Sequence, residues 1–311
     1  MTDHDLPGEA IEPQPPRITP QQWIVVGLAI ALAVAAILYR LLVLKRLEQT
    51  AALFIGLPSV LAIILALTPR AKSATGMILK GTTIALLLSG PVLSEGFICV
   101  IMTAPLFYLV GAVVGLAIDN QRKRRRALRL HAVVLLPLLL SSLEGTMPAL
   151  TFPTREQVTV TKSVGGSPAA FEQALARPPR FDGPLPRFLR LKFPLPVESR
   201  GDGLTTGAER VIHFAGGEGK PGDLTLRVAD RGPRAVTFEA VSDTSHIAHW
   251  LTWRRSRVTW RPLAGQRTEV TWTLIYDRAL APAWYFGPWE RYATRLSAEY
   301  LIDSVAATRL P

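Results

Sequence analysis

The tightest group of histidine and carboxylate residues in the sequence is Asp243, His246 and His249. A metal ion takes two imidazoles from one helix face at three-residue spacing, but the surrounding run alternates like a strand, where that spacing sends the rings to opposite faces. No metal centre is expected. Gly201-Asp202-Gly203 followed by Gly207 invites a phosphate-loop reading, yet such loops lead into a helix N-terminus and here a strand follows. Cys99 is the only cysteine and lies in an apolar run. It leaves no disulfide framework, no cysteine metal site and, with no Gly-x-Ser-x-Gly stretch, no sign of covalent catalysis. Arg254, Arg255, Arg257 and Arg261 interleave with Trp250, Trp253 and Trp260. Three readings apply, in falling order: the solvated outer face of a strand, contact with lipid head groups, and stacking on nucleic acid. No nucleic acid, cofactor or catalytic residue is therefore expected.

The elements that must carry these residues fall into two halves. The chain has 311 residues, 49% hydrophobic and 19% charged, with a net charge of +11. Residues 1–150 hold 13 of the Lys/Arg and 8 of the Asp/Glu, against 22 and 16 in residues 151–311, so charge thins where the long apolar runs lie. A Pro-bearing stretch from Met147 to Pro153 marks the border. The expected organisation is a polar tail over 1–22, a transmembrane region over 23–150 and a soluble domain over 151–311. The positive charge fits cytoplasmic loops and head-group contact better than nucleic acid.

About 20 apolar residues in a helix cross the hydrocarbon of a bilayer. Ile18–Tyr39, Gln49–Pro69 and Gly96–Ile118 reach that length; Gly81–Ser94 and Leu130–Leu143 reach it by including Lys80 or Glu144, whose long stems can extend to the interface. Five spans are expected, with four as the alternative. The first run follows an acidic, Pro-rich tail with no cleavage site after it, which argues against a removed signal peptide. The cluster Arg122-Lys123-Arg124-Arg125-Arg126 places its loop in the cytoplasm and the C-terminal domain outside it, in the plasma membrane; Lys45 and Arg46 oppose that orientation. Glu95 and Lys80 raise a transport reading, against which they are a turn and a helix end.

In the second half, Arg155–Ser163 alternates as a strand, Ser167 caps a short helix with Pro168 first, and Phe181–Phe193 reads as partly helical. Strands follow at Ala208–Phe214, Asp223–Ala229, Ala235–Val241, Ile247–Arg261 and Arg267–Asp277. Their apolar residues share one parity: Ile212, Phe214; Leu224, Leu226, Val228; Val236, Phe238; Val270, Trp272, Leu274, Tyr276. That apolar sheet face needs a cover. Pro282–Ala307 supplies one, an amphipathic helix with Tyr285, Trp289, Tyr292, Leu296 and Tyr300 at three- and four-residue spacing.

This order, together with Gly201–Phe214, with Arg255–Trp260 plus Ala264–Trp272, and with Leu280–Trp289, resembles the START-like or SRPBCC superfamily of polyketide cyclase-like and lipid-transfer proteins. The implied fold is an N-terminal α-helical transmembrane bundle plus a C-terminal α+β helix-grip domain, a curved antiparallel sheet around a long C-terminal helix. The resemblance implies an apolar cavity for a lipid or other small hydrophobic ligand and carries no shared catalytic set, and the leading expectation is a membrane-anchored domain that binds such a ligand without catalysis. Phe214, Leu226, Phe238, Trp272, Leu274, Tyr285, Trp289 and Tyr292 are the expected lining, and membrane lipids and the ligand are the expected partners. A cyclase-like enzyme would need an acid or base in the cavity, for which only Glu239, Glu269, Asp277 and His213 offer themselves, all at the outward parity. An accessory module binding another membrane protein, its cavity filled by its own side chains, is the third reading.

Overall fold

The computed structural model describes residues 19–42, 56–93, 97–123, 144, 152–217 and 220–308. The expectations for most of the N-terminal tail, Lys45, Arg46, Glu95, most of the basic cluster, the Leu130–Leu143 run and most of the Pro-bearing border lie outside the described residues. The chain divides into two compact units, one of N-terminal helices and one holding the C-terminal sheet.

Among the described residues the N-terminal part holds four helices: α1 Pro20–Leu42, α2 Leu57–Leu67, α3 Ala74–Leu93 and α4 Phe97–Lys123. Within them, Pro20–Leu38 and Ile98–Asn120 are long and apolar enough to cross a membrane. α2 falls within the apolar run that predicts it, of which residues 49–55 lie outside the described residues. Conversely, α3 starts seven residues before the run expected from Gly81, so Lys80 is not its end. Its Nζ reaches back to donate to the Thr68 carbonyl at 2.8 Å, beside the Gln22 side chain, which donates to the Ala66 and Thr68 carbonyls at 3.0 Å. Those carbonyls close α2, whose last turn has no intrahelical donors for them.

At the start of α3 the Asp119 carboxylate of α4 accepts from the backbone N–H of Ala74 at 2.7 Å and of Thr75 at 3.0 Å, and from the Thr75 hydroxyl at 2.7 Å. An acid from a neighbouring helix thus does the work of an N-cap. The two helices approach closely because α4 presents Gly115 there. A Cβ on Gly115 would lie 2.4 Å from the Thr75 Cα.

The C-terminal unit is a seven-stranded, wholly antiparallel sheet in the order β1-β7-β6-β5-β4-β3-β2. Its strands are β1 Arg155–Gly165, β2 Leu195–Arg200, β3 Glu209–Ala215, β4 Gly222–Gly232, β5 Ala235–Asp243, β6 Leu251–Leu263 and β7 Arg267–Arg278. A short helix, α5 (Pro168–Ala176), follows β1, and Ser167 caps it by accepting from the Ala170 N–H at 3.2 Å, with Pro168 at the first position as the sequence predicts. A long helix, α6 (Ala283–Ala307), closes the chain against β1 and β7. Register shifts in β2, β4, β5 and β6 bend the sheet. A curved antiparallel half-barrel gripping a C-terminal helix is the helix-grip arrangement.

The period-two reading puts the right residues inside: Ile212, Leu224, Val228, Val236, Phe238, Val270, Trp272, Leu274 and Tyr276 are all buried. Three expectations need correction. The Phe181–Phe193 segment folds into turns rather than a helix, and β2 follows it as an edge strand that the sequence reading lacks. Pro194 and Pro196 hide that strand, because proline is excluded from central strands but tolerated at an edge. His246–His249 forms a single 3-10 turn, so the two rings lie together, 4.8 Å apart, and not on opposite strand faces. Among the described residues no group of three or more possible metal ligands occurs.

The buried face of α6 is also rotated from the expected stripe. Phe286, Gly287, Glu290, Thr294, Ala298, Ile302 and Val305 face inward together with Tyr300 of the expected stripe, whereas Tyr292 is half exposed. Large aromatics define a visible stripe in a sequence, but a helix seated on a concave sheet needs small side chains at the closest approach.

A candidate ligand cavity

Because α6 rests on β1 and β7, it leaves the inner face of β3, β4 and β5 uncovered. The turns between α5 and β2 close that gap. Pro179, Phe181, Leu185, Leu189 and Phe193–Pro196 lie opposite Ile212, Phe214, Leu224, Leu226, Phe238 and Ala240, and the space between is a cavity of about 150 Å³. Ala293, Thr294, Ser297 and Leu301 of α6 form one side, and Trp250, Trp253 and Trp272 another. Short side chains on the helix are what keep the space open.

Phe214, Leu226, Phe238, Trp272 and Leu274 stand in this lining, brought together from four strands. Tyr285, Trp289 and Tyr292 are not lining residues. Instead, Trp289 stacks on Phe188 with ring centroids 6.0 Å apart, and Tyr292 meets the same ring edge-on at 5.1 Å. Phe188 in turn packs on Phe193, which packs on Trp250. Phe188, Trp289 and Tyr292 thus fasten the covering turns to α6 from outside the cavity, and Phe193 and Trp250 carry the chain of ring contacts into its lining. Tyr285 lies between the rings of Trp284 and Phe286. Tyr300 adds a polar tie, donating to the carbonyl of Phe181 at 3.1 Å.

Polar groups inside are few. Trp272 Nε1 donates to Ser256 Oγ at 2.8 Å, leaving both satisfied. Trp253 Nε1 is buried without a partner. Arg210, a residue that sequence reasoning passes over, also lines the cavity with only 5% of its surface exposed. Its Nη2 donates to the Leu175 carbonyl at 2.8 Å, its guanidinium carbon lies 5.3 Å from the Phe238 ring centroid, and its Nε has no partner. Burial lowers its pKa to about 10, so it stays charged at neutral pH. The signal was present, since Arg210 shares the inward parity of Ile212 and Phe214.

The acids and bases proposed for catalysis lie elsewhere. His213 Nδ1 is 2.6 Å from Asp223, Glu269 pairs with Arg261, Glu239 with Arg255, and Asp277 with both Arg155 and Arg254. None of the four lines the cavity. Of the arginines between the tryptophans, Arg254 and Arg261 are partners in outward ion pairs and Arg255, paired with Glu239, also lines the cavity, while Trp260 is buried against Phe171 and Arg231. Glu290 is a buried acid of α6, 5% exposed, whose pKa rises to about 8 because burial outweighs the nearby Arg278 charge. It too lies outside the lining.

The glycine loop has a structural use. Gly201 adopts φ +96°, and a Cβ there would fall 2.2 Å from the Glu209 carbonyl oxygen. The N–H groups of Gly203 and Gly207 donate to the Ala176 and Val228 carbonyls, so they are not free to hold a phosphate.

No protein-family model and no curated protein matches the chain. Among solved structures it is similar to ginseng major latex-like protein 151 from Panax ginseng, with 13% identity over 51% of this chain and 99% of that one and a TM-score of 0.35. It is likewise similar to norcoclaurine synthase from Thalictrum flavum (10% identity, 50% of this chain, 94% of that one, TM-score 0.36) and to a START superfamily protein from Mycobacterium smegmatis (12%, 49%, 96%, 0.36).

Proposed function

We propose that this chain is a membrane-anchored START-like protein whose helix-grip domain binds a lipid or other small hydrophobic ligand without transforming it. The observation that carries the reading is the cavity, held open between the sheet and a separate cover of proline-rich and aromatic turns. A filled core would close such a space, since cavities cost stability. Its lining includes Arg210 and Arg255 but no carboxylate, histidine or cysteine among the described residues. That composition suits holding a ligand better than moving protons.

Anchoring is supported by the surface of the N-terminal helices. Trp23, Ile24, Leu28, Ile30, Val34 and Leu38 of α1 are all exposed, and only 17% of the apolar window of α4 is buried. A core helix of a soluble protein buries its apolar side chains, whereas a bilayer gives exposed ones an apolar solvent. The plasma membrane, with the C-terminal domain on its outer side, is the location that the basic cluster favours. A tethered domain meets membrane-partitioned molecules at high local concentration, so modest affinity suffices.

The test is native mass spectrometry of the full chain in nanodiscs. A small-molecule adduct that survives removal of the surrounding lipid, and that is displaced by an added fatty alcohol, is expected. A full-length protein recovered empty, and unable to take up the alcohol, overturns the reading.

A further inference from the structure

We propose, resting on the cavity reading above, that the ligand is a single-chain amphiphile bearing a carboxylate, with its acid head on Arg210 and its apolar body along the inner face of β3, β4 and β5.

Arg210 is the only strongly buried charge in the lining, since Arg255, the other charged lining residue, is largely exposed and faces Glu239. No carboxylate lies within ion-pair distance of Arg210 among the described residues. Asp202 influences it only at longer range. The one other buried arginine among the described residues, Arg278, has an acid beside it, Glu144. A guanidinium taken out of water without a counter-charge is costly, and the Leu175 carbonyl and the Phe238 ring offset only part of that cost. Nε remains an unused donor. A protein that merely needed an apolar cavity would place an apolar residue at this inward position, as it does at Ile212 and Phe214.

The rest of the ligand follows from the register. Arg210 sits opposite Leu226, and Leu226 opposite Ala240, so one row across three strands begins with the cation and continues with apolar residues. All three line the cavity. A space of about 150 Å³ takes roughly ten water-sized groups, which suits one short chain and not two.

The experiment compares decanoic acid with 1-decanol, identical in length, against the full chain in nanodiscs at pH 8, with Kd from equilibrium dialysis corrected for protein-free nanodiscs. The acid is expected to bind at least tenfold more tightly, as a charge-assisted hydrogen bond should give. In Arg210→Met the preference should vanish, the alcohol binding within threefold of its wild-type Kd, while Arg210→Lys should retain part of it. Alcohol binding by Arg210→Met also shows that the variant folds. If wild type binds acid and alcohol equally, or if Arg210→Met keeps the preference, the acid-head proposal fails and the cavity reading stands. If neither molecule binds wild type, both fail.

Discussion

Arg278 Nη2 lies 3.4 Å from Glu144 Oε1 with both side chains almost fully buried, at 3% and 4% exposure. Glu144 is not a free acid beside an apolar run. Its other oxygen accepts from the Ala283 N–H at 2.6 Å, where α6 begins, and Arg278 also donates to the Leu280 carbonyl. One carboxylate thus joins the end of β7 to the N-terminus of α6, where the helix dipole favours negative charge.

Glu144→Ala should destabilise the C-terminal unit by about 3 kcal/mol, because it leaves a buried guanidinium unpaired. The check is thermal unfolding followed by near-ultraviolet circular dichroism, to which six of the seven tryptophans contribute from that half of the chain. The double variant Glu144→Ala/Arg278→Met should recover part of the loss.

Glu290 predicts a pH dependence. It ionises near 4.5 in an unfolded chain and near 8 in the fold. Between those values the folded state holds a proton that the unfolded state has released, so stability falls as pH rises through this window. The contribution is complete below 4.5 and gone above 8. Glu290→Gln should flatten the decline in Tm between pH 5 and pH 9, being closest to wild type at the acid end and more stable at the alkaline end. An unchanged slope would show that other groups govern it.

Cavity size and core stability should separate by mutation. Ala240→Trp, in the row that begins at Arg210, should weaken 1-decanol binding at least tenfold while unfolding stays cooperative. Phe238→Ala removes a ring that is 2% exposed, and should cost about 3 kcal/mol of stability. Dialysis and near-ultraviolet melting on the same preparations distinguish the two.

In the N-terminal unit, Gly115→Leu should separate α3 from α4, since even a Cβ there meets the Thr75 backbone. Loss of α-helical ellipticity at lower temperature than wild type, with the near-ultraviolet melt unchanged, is the expected result. Asp119→Asn should act in the same direction and more mildly.

What the sequence makes legible is whatever repeats. Alternation fixes which side of β3, β4, β5 and β7 is inside, and Ser167-Pro168 announces α5, because both signals act over a few neighbouring residues. β2 is not legible, since its prolines remove the local strand signal and only its place at the sheet edge permits them. The α6 stripe is misplaced because Gly287, Thr294 and Ala298 are chosen by the closeness of the sheet, which no local pattern expresses. Arg210 shows a different gap. Its parity points inward, but the ordinary expectation that arginine faces water overrides that signal, and the exception falls in the cavity itself.

The pairing of β1 with β7 also bears on how the domain is made. Arg155 and Asp277 are neighbours across the sheet but 122 residues apart in the chain. At ribosomal speeds of about 5–20 residues per second, β1 emerges roughly 6–24 s before the strand that flanks it exists. During that interval its backbone edge is open to pairing with any other nascent chain, so a chaperone that shields extended segments should raise the yield of this protein more than one that acts on finished domains.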